Sequence, residues 1–235
     1  MHKSARESFL KFKENYLNKF DNPKIVDLGS LDINGSLKDL IDFKSEYIGV
    51  DVQKGKNVDV VLESPYSFPF KDNSIDVVVS VSTFEHVEFF WETFIEILRI
   101  LKPNGLFFLN VPSNGPFHRH ETDNWRFYPD SGEALKKWGL KRGFNSELLE
   151  SYTNNYSGRE GTNDFVCIIL KDKKFLEIYD NRIIDKYNDF RNGKTNKSDN
   201  IINLKRLTQD QDNWGWRLFF KYNKFIDKIK KITKK

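Results

Sequence analysis

The chain has 235 residues, of which 38% are hydrophobic, 15% aromatic and 31% charged, a composition typical of a globular protein with one large domain. No apolar run reaches the roughly 18 residues of a membrane span, and the first residues lead into a charged stretch instead of the apolar core of a secretory signal. Cys167 is the single cysteine, which excludes an internal disulfide and favours a cytoplasmic location. No Cys/His group has zinc-ligand spacing, so no metal ion is expected.

The charge is distributed unevenly. Residues 173–235 carry 17 Lys and Arg against 8 Asp and Glu, whereas residues 1–172 carry 21 against 26. An acidic body argues against general nucleic-acid binding and directs attention to the contacts of the basic tail.

The elements follow a regular order along the chain. Apolar residues at steps of three and four predict an amphipathic helix over 4–20. Apolar runs rich in β-branched residues then predict five strands, at 24–28, 47–52, 58–62, 75–81 and 105–111. Helical patterns lie at 36–43, 89–101 and 130–138. This alternation predicts an α/β fold with a doubly wound, mainly parallel sheet, and runs at 144–152 and 164–170 predict an antiparallel hairpin at one edge.

The chain changes character at residue 173. An Asn/Lys-rich stretch near 192–200 predicts a mobile linker. Residues 214–235 form a basic amphipathic helix when wound at 100° per residue, with an apolar stripe of Leu218, Tyr222, Phe225, Ile226, Ile229 and Ile232. We therefore predict a domain at 1–172 and a helical extension at 173–235. Docking on the body or homodimerisation is the first role expected for this helix, contact with an anionic membrane surface the second, and nucleic acid the last.

Two residues at strand ends indicate a binding site. Gly29 follows the first strand, where it allows a sharp turn and close approach of a ligand. Asp51 ends the second strand, where a carboxylate can accept both hydroxyls of a ribose. This pair indicates a cofactor that contains a nucleoside. The alternative is a glycine required by a tight turn and a solvated aspartate.

Further residues extend this pattern into a resemblance. Residues 26–36, 47–51, 58–63, 68–78, 82–87 and 98–105 resemble, in order and spacing, the motifs of class I S-adenosylmethionine-dependent methyltransferases. The match covers roughly residues 23–144 and implies a Rossmann-like fold with S-adenosylmethionine as cofactor. The loop after Gly29 lacks the additional glycines common in the family, and Glu63 stands where a shorter Asp is commoner.

The resemblance also implies roles for single residues. Asp27 and Gly29 would line the methionine end of the cofactor, and Ser30 of the same motif is included in the site. Asp51 would bind the ribose diol, Glu63 would lie near the adenine amino group, and Ser82 would face the cofactor or the substrate. Glu85 and His86 also fit a structural interpretation, as a carboxylate at a helix start and a packed imidazole.

A second informative segment, at 111–129, follows the fifth predicted strand and should lie over the mouth of the cofactor crevice. It contains two of the four histidines, and its residues 123–129 resemble a run in methyltransferases of surface-polysaccharide biosynthesis. We expect His118 or His120 to act as general base, and Asp123 to orient the histidine or to be the base itself. Arg119, Arg126 and Trp125 are predicted to bind substrate, with the arginines suited to a diphosphate or carboxylate. The alternative is a structural lid in which Arg126 pairs with an internal acid while Trp125 and Phe127 lie in the core.

The sequence therefore predicts methyl transfer to a hydroxyl of a sugar or nucleotide-linked sugar in surface-polysaccharide biosynthesis. The enzyme would work in the cytoplasm, where its tail could bring it to the inner face of the membrane. Two alternatives stay open: N-methylation of an amino sugar or small amine, and a cofactor-binding scaffold without turnover.

Overall fold

The computed structural model describes residues 2–155, 163–208, 215, 218–219, 221–223 and 225–226. Its centre is a nine-stranded sheet in the order β3-β2-β1-β4-β5-β7-β6-β8-β9. The strands are β1 (Lys24–Leu28), β2 (Glu46–Asp51), β3 (Val60–Val61), β4 (Ile75–Val81), β5 (Leu101–Pro112), β6 (Glu147–Asn154), β7 (Asp164–Leu170), β8 (Phe190–Thr195) and β9 (Ser198–Ile202). The first five strands pair in parallel, and the last four join by antiparallel pairing.

Within residues 2–208, as far as the structure describes them, four α-helices accompany this sheet: α1 (Lys3–Tyr16), α2 (Phe90–Ile100), α3 (Asp130–Lys141) and α4 (Ile183–Lys186). Short 3-10 helices lie at Leu17–Lys19, Leu37–Leu40 and Lys173–Ile178. The predicted α/β fold is therefore confirmed. The helix expected over 36–43 is only the turn Leu37–Leu40, because Leu37 is its one fully buried side chain and too few apolar contacts stabilise a longer helix.

The core occupies both faces of the sheet, because neighbouring residues of each strand point to opposite sides. On β5, Phe107 packs with the cluster that includes Phe94 and Leu98 of α2. Its neighbour Phe108 packs with the aromatic face of α1, 4.6 Å from Phe12 between ring centroids. Burial on both faces explains the nearly continuous apolar runs of β4, β5 and β7.

The antiparallel part differs from the prediction. The β6–β7 hairpin is not at the edge, because β7 lies between β5 and β6, and β8 and β9 continue the sheet beyond β6. The predicted linker near 192–200 is therefore wrong: most of these residues belong to β8 and β9, and Gly193 pairs with Ile202. Long-range pairing with β6 supplies the stability that their polar composition does not indicate.

The sheet also extends past residue 172, the predicted end of the domain. Tyr179, Ile183, Ile184 and Phe190 all lie in the core that α1 covers. Most of the predicted helix at 214–235 lies outside the described residues. Within the part that is described, Leu218, Tyr222 and Phe225 are helical and exposed, and their role in membrane contact or dimerisation stays a prediction. No helix among the described residues is both long and apolar enough to cross a membrane.

One buried carboxylate joins the two ends of this fold. Glu150 on β6 accepts hydrogen bonds from the Tyr16 hydroxyl at 2.5 Å and from the backbone amides of Ile183 at 2.8 Å and Ile184 at 3.1 Å. Burial raises the pKa of Glu150. The carboxyl therefore connects α1, β6 and the start of α4.

Replacing this group should cost stability. We expect Glu150→Ala to lower the free energy of unfolding by about 3–5 kcal/mol, because three buried donors lose their acceptor at about 1–3 kcal/mol each. Urea denaturation measures the change. The control is Glu46→Ala, which removes an exposed partner of Lys24 and should cost about 0.5 kcal/mol or less. Equal losses in the two variants would contradict the role of Glu150.

Candidate active site

A cleft of about 720 Å³ opens at the carboxyl ends of the parallel strands. Its walls come from the segments that follow β1, β2, β3 and β4, and from the long segment after β5. Every cofactor-site residue predicted from the sequence lines it: Asp27, Gly29, Ser30, Asp51, Glu63 and Ser82. The ends of parallel strands meet at one edge of a sheet, which is why residues so far apart in the chain share this cleft.

Gly29 makes the turn that opens the cleft. Its φ of +85° is unfavourable for residues with a side chain, and an added Cβ would lie 1.9 Å from Thr83 Oγ1. The amides of Gly29 and Ser30 both donate to the carbonyl oxygen of Val50, at 2.8 and 3.2 Å. The turn therefore requires glycine for backbone conformation and for space.

Asp27 lies at the floor of the cleft and is 4% exposed. The pKa of its carboxyl is raised to about 7, chiefly by burial; a hydrogen bond from the Tyr47 hydroxyl opposes the rise, and the nearby Asp51 contributes to it. That bond is 2.6 Å long. Near neutral pH this carboxyl is therefore divided between its neutral and ionised forms.

Asp51 is held in position by the backbone around it. Its Oδ1 accepts from the Gln53 amide at 2.9 Å and its Oδ2 from the Leu31 amide at 3.2 Å. Each carboxylate oxygen has a second lone pair that can accept another hydrogen bond. Asp51 can thus bind two hydroxyl groups of a ligand without giving up its structural contacts.

Glu63 and Ser82 are more exposed members of the cleft wall. Glu63 lies near Tyr66, an aromatic lining residue that the sequence analysis did not select. Ser82 has a φ of +51°, rare for a residue other than glycine, and its amide donates to the Asn110 carbonyl. A strained backbone of this kind is common at functional sites.

Histidines form another part of the cleft wall. His118 and His120, from the segment after β5, line the cleft together with His86, which follows β4. Their rings approach edge to face, with centroids 5.3 Å apart for His86 and His118 and 6.3 Å apart for His86 and His120. Gln53 donates to Glu121 at 2.8 Å and connects this wall to the segment after β2.

His86 and its neighbour Glu85 were given a structural interpretation from sequence. Glu85 is 1% exposed, and burial raises the pKa of its carboxyl to about 8. Burial also lowers the pKa of His86. Both residues follow β4 closely, as Ser82 does, and this position at the carboxyl end of a parallel strand is the signal that could have identified them as site residues.

The remaining predicted residues make internal contacts. Arg126 donates to both oxygens of Asp123, at 2.5 and 2.8 Å, and this bond lowers the pKa of Asp123 to about 2. Asp123 Oδ2 lies 3.6 Å from His118 Nδ1 and also accepts the His118 amide at 2.8 Å. A carboxylate with so low a pKa is a weak proton acceptor, so these contacts favour an orienting role over that of a base.

Arg119 and Trp125 also have partners within the segment or beside it. Arg119 donates to the Glu121 carbonyl. Trp125 donates from its indole nitrogen to the carbonyls of Val87 and Glu88. Asp123, Arg119, Trp125 and Arg126 are not among the residues that line the cleft. The pairing of Arg126 with Asp123 and the burial of Phe127 match the alternative of a structural lid, whereas Trp125, at 37% exposure, does not lie in the core. Substrate binding by these side chains stays a prediction.

Comparisons with known proteins agree with this geometry. Residues 34–109 match the family model of a methyltransferase domain. A protein from Mycobacterium sp. (strain KMS), named an uncharacterized methyltransferase, is 38% identical over 108 residues, which are 42% of this chain and 42% of the relative. The chain therefore aligns with only about two fifths of the length of such curated relatives.

Solved structures share the fold at low sequence identity. The 1,6-didemethyltoxoflavin-N1-methyltransferase of Burkholderia thailandensis, solved with S-adenosylhomocysteine, has a TM-score of 0.56 and 13% identity over 72% of this chain and 79% of its own. The [4+2]-cyclase SpnF has a TM-score of 0.52 and 16% identity over 72% of this chain and 81% of its own. The predicted Rossmann-like fold is confirmed, but neighbours with such different names show that this fold does not decide the reaction.

The elevated pKa of Asp27 predicts a pH dependence of stability. The folded protein binds this proton up to about pH 7, whereas the unfolded chain loses it near pH 4. Its contribution to stability is therefore largest below pH 4 and decreases as the pH rises to 7, by about 1.4 kcal/mol per pH unit.

We expect Asp27→Asn, which keeps an acceptor for Tyr47, to reduce the loss of stability between pH 5 and pH 8 by up to about 3 kcal/mol. Urea denaturation at the two pH values measures this difference. Replacing an exposed residue, as in Asp180→Asn, should leave the pH dependence unchanged. Identical pH profiles for Asp27→Asn and the unmodified protein would refute the assignment.

Proposed function

We propose that this protein is an S-adenosylmethionine-dependent methyltransferase whose acceptor is a hydroxyl of a sugar or nucleotide-linked sugar in surface-polysaccharide biosynthesis. One observation carries the proposal. The residues that suit the cofactor and the histidines that suit proton transfer line a single cleft. Its volume of about 720 Å³ lies within the usual range for small-molecule sites.

The acidic residues of the cleft fit the chemical groups of the cofactor. Asp51 has free lone pairs for the ribose diol, and Asp27 can form an ion pair with the ammonium of the methionine moiety. Glu63 would accept from the adenine amino group, while Ser30 and Ser82 contribute to the same wall. When bound, the cofactor supplies a methyl group activated by a positively charged sulfur.

The histidines would complete the reaction. A sugar hydroxyl is a weak acid, so its proton needs an acceptor as the oxygen–carbon bond forms and the sulfur–carbon bond breaks. His118 is about half exposed, at 48% of its side chain, and His120 is exposed beside it. Either imidazole, in its neutral form, has a ring nitrogen that could accept this proton.

The sugar acceptor is supported by two features of the segment after β5. Residues 123–129 resemble a run in methyltransferases of surface-polysaccharide biosynthesis, and the same segment exposes Arg119 near the mouth of the cleft. Arg119 uses Nε and one terminal nitrogen on the Glu121 carbonyl. Its charge would attract the diphosphate of a nucleotide-linked sugar. An amine acceptor and a scaffold without turnover remain the alternatives to be tested.

Cofactor binding is the first test. We expect isothermal titration to show one S-adenosylmethionine per chain, and Asp51→Ala to weaken binding by about 1–3 kcal/mol through loss of charged hydrogen bonds. Asp39→Ala, at an exposed aspartate outside the cleft, is the control and should leave the dissociation constant unchanged. Asp51→Asn keeps one side-chain oxygen that can accept from the Leu31 or Gln53 amide. Comparing it with Asp51→Ala therefore distinguishes loss of the ligand contact from loss of the hydrogen bonds that hold the loop. An unchanged constant in Asp51→Ala would refute the ribose role.

Transfer is the second test, with nucleotide-linked sugars as acceptors and formation of methylated product as the readout. We expect His118→Ala or His120→Ala to lower kcat by about 100-fold or more at neutral pH, because general-base catalysis contributes about 10²–10⁴-fold. Full turnover in both variants would remove them as essential bases and favour an amine acceptor. Tight cofactor binding without transfer to any acceptor would favour the scaffold.

A further inference from the structure

Three potential metal ligands converge at the mouth of the cleft. Glu85 and His86 follow β4, and His118 belongs to the segment after β5. One ligand atom from each side chain lies within 4.8 Å of the other two. The three residues are up to 33 positions apart in the chain, and only the fold brings them together.

Glu85 is the unusual member of this cluster. Its side chain is 1% exposed, yet neither carboxylate oxygen has a hydrogen-bond partner among the described residues. The backbone carbonyl oxygen of Glu85 accepts hydrogen bonds from the amides of Asn124 and Trp125, at 2.7 and 3.2 Å, and these bonds hold the backbone of Glu85 in position. A buried carboxyl group without a hydrogen-bond partner is costly, and a bound cation would compensate for that cost by pairing with its ionised form.

The two imidazoles have the orientation of metal ligands. His86 Nδ1 lies 2.5 Å from the Thr122 carbonyl, which can only accept, so Nδ1 carries the proton and Nε2 has a free lone pair. That Nε2 lies 3.7 Å from Glu85 Oε1. His118 Nδ1 lies between the Pro116 carbonyl at 3.3 Å and the Arg126 guanidinium at 3.4 Å, and neither contact involves Nε2. A backbone carbonyl that fixes the ring in this way is common behind metal-bound histidines.

We propose that Glu85, His86 and His118 bind a divalent transition-metal cation of the zinc class, with an open coordination position toward the cleft. Two imidazoles and one carboxylate form a ligand set of catalytic zinc sites. Bonds of about 2.1 Å at tetrahedral angles place ligand atoms about 3.4 Å apart. His118, whose side chain is about half exposed, would move toward Glu85 and His86 to complete this geometry.

The role of the cation rests on the proposed methyl transfer. The open position would bind the acceptor hydroxyl and lower its pKa. The hydroxyl proton would pass to His120, the oxygen–methyl bond would form and the sulfur–methyl bond would break. His118 would then be a ligand of the cation, and His120 would be the remaining base.

Direct binding tests the site without reference to activity. The full chain, stripped with a chelator and dialysed, is titrated with Zn²⁺ against a chromophoric competitor and with Co²⁺ by visible absorption. We expect one ion per chain. Glu85→Gln, His86→Ala and His118→Ala should each weaken binding by at least about 100-fold, because even residues that only orient ligands contribute about 10–100-fold.

His120→Ala is the matched control, since it removes a histidine from the same segment that is outside the three ligands, and it should retain Zn²⁺ affinity. Wild-type affinity in Glu85→Gln, or equal losses in His120→Ala and His118→Ala, would overturn the site, as would the absence of binding by the unmodified protein. S-adenosylmethionine titration of every variant confirms that the cleft is folded. In the unmodified protein, cofactor binding without metal binding overturns this proposal alone, whereas metal binding without cofactor binding overturns the proposed function alone.

Discussion

The candidate site depends on one backbone contact, in which the amides of Gly29 and Ser30 both donate to the carbonyl oxygen of Val50. This contact ties the end of β1 to the end of β2 and brings Asp27 and Asp51 to the same floor. The turn needs a positive φ, and Thr83 lies where a side chain at position 29 would be. Glycine is therefore required both by conformation and by the neighbouring segment after β4.

The fold could be predicted where sequence periodicity and burial agree. The parallel strands are short apolar runs because both of their faces are covered, and α1 and α2 have clear apolar faces. The polar strands β8 and β9 could not be predicted, because their stability comes from pairing with β6 and not from their own composition. The residues of β8 and β9 alone do not indicate that they will pair with a strand so far away in the chain.

In the candidate site, too, some features could be predicted from local sequence and others depend on contacts between distant segments. Asp27, Gly29 and Asp51 follow strands, so the end of each strand predicts their location. The convergence of His86 with His118 depends on how the segment after β5 folds back over the segment after β4. No spacing in the sequence encodes that path. The pair of Arg126 and Asp123 is different, because the two residues are three positions apart and an internal acid as partner of Arg126 is one interpretation of the sequence.

The hydrogen bond between Tyr16 and Glu150 also bears on how the chain is made. The two residues are 134 positions apart, and at about 5–20 residues per second the ribosome needs on the order of ten seconds to deliver the second after the first. Phe9 and Phe12 lack their ring partner Phe108 until β5 is synthesised, and Tyr16 lacks Glu150 for longer still. The nascent chain therefore emerges with an aromatic helix face open to chaperones or to self-association, until the strands that α1 packs against are synthesised.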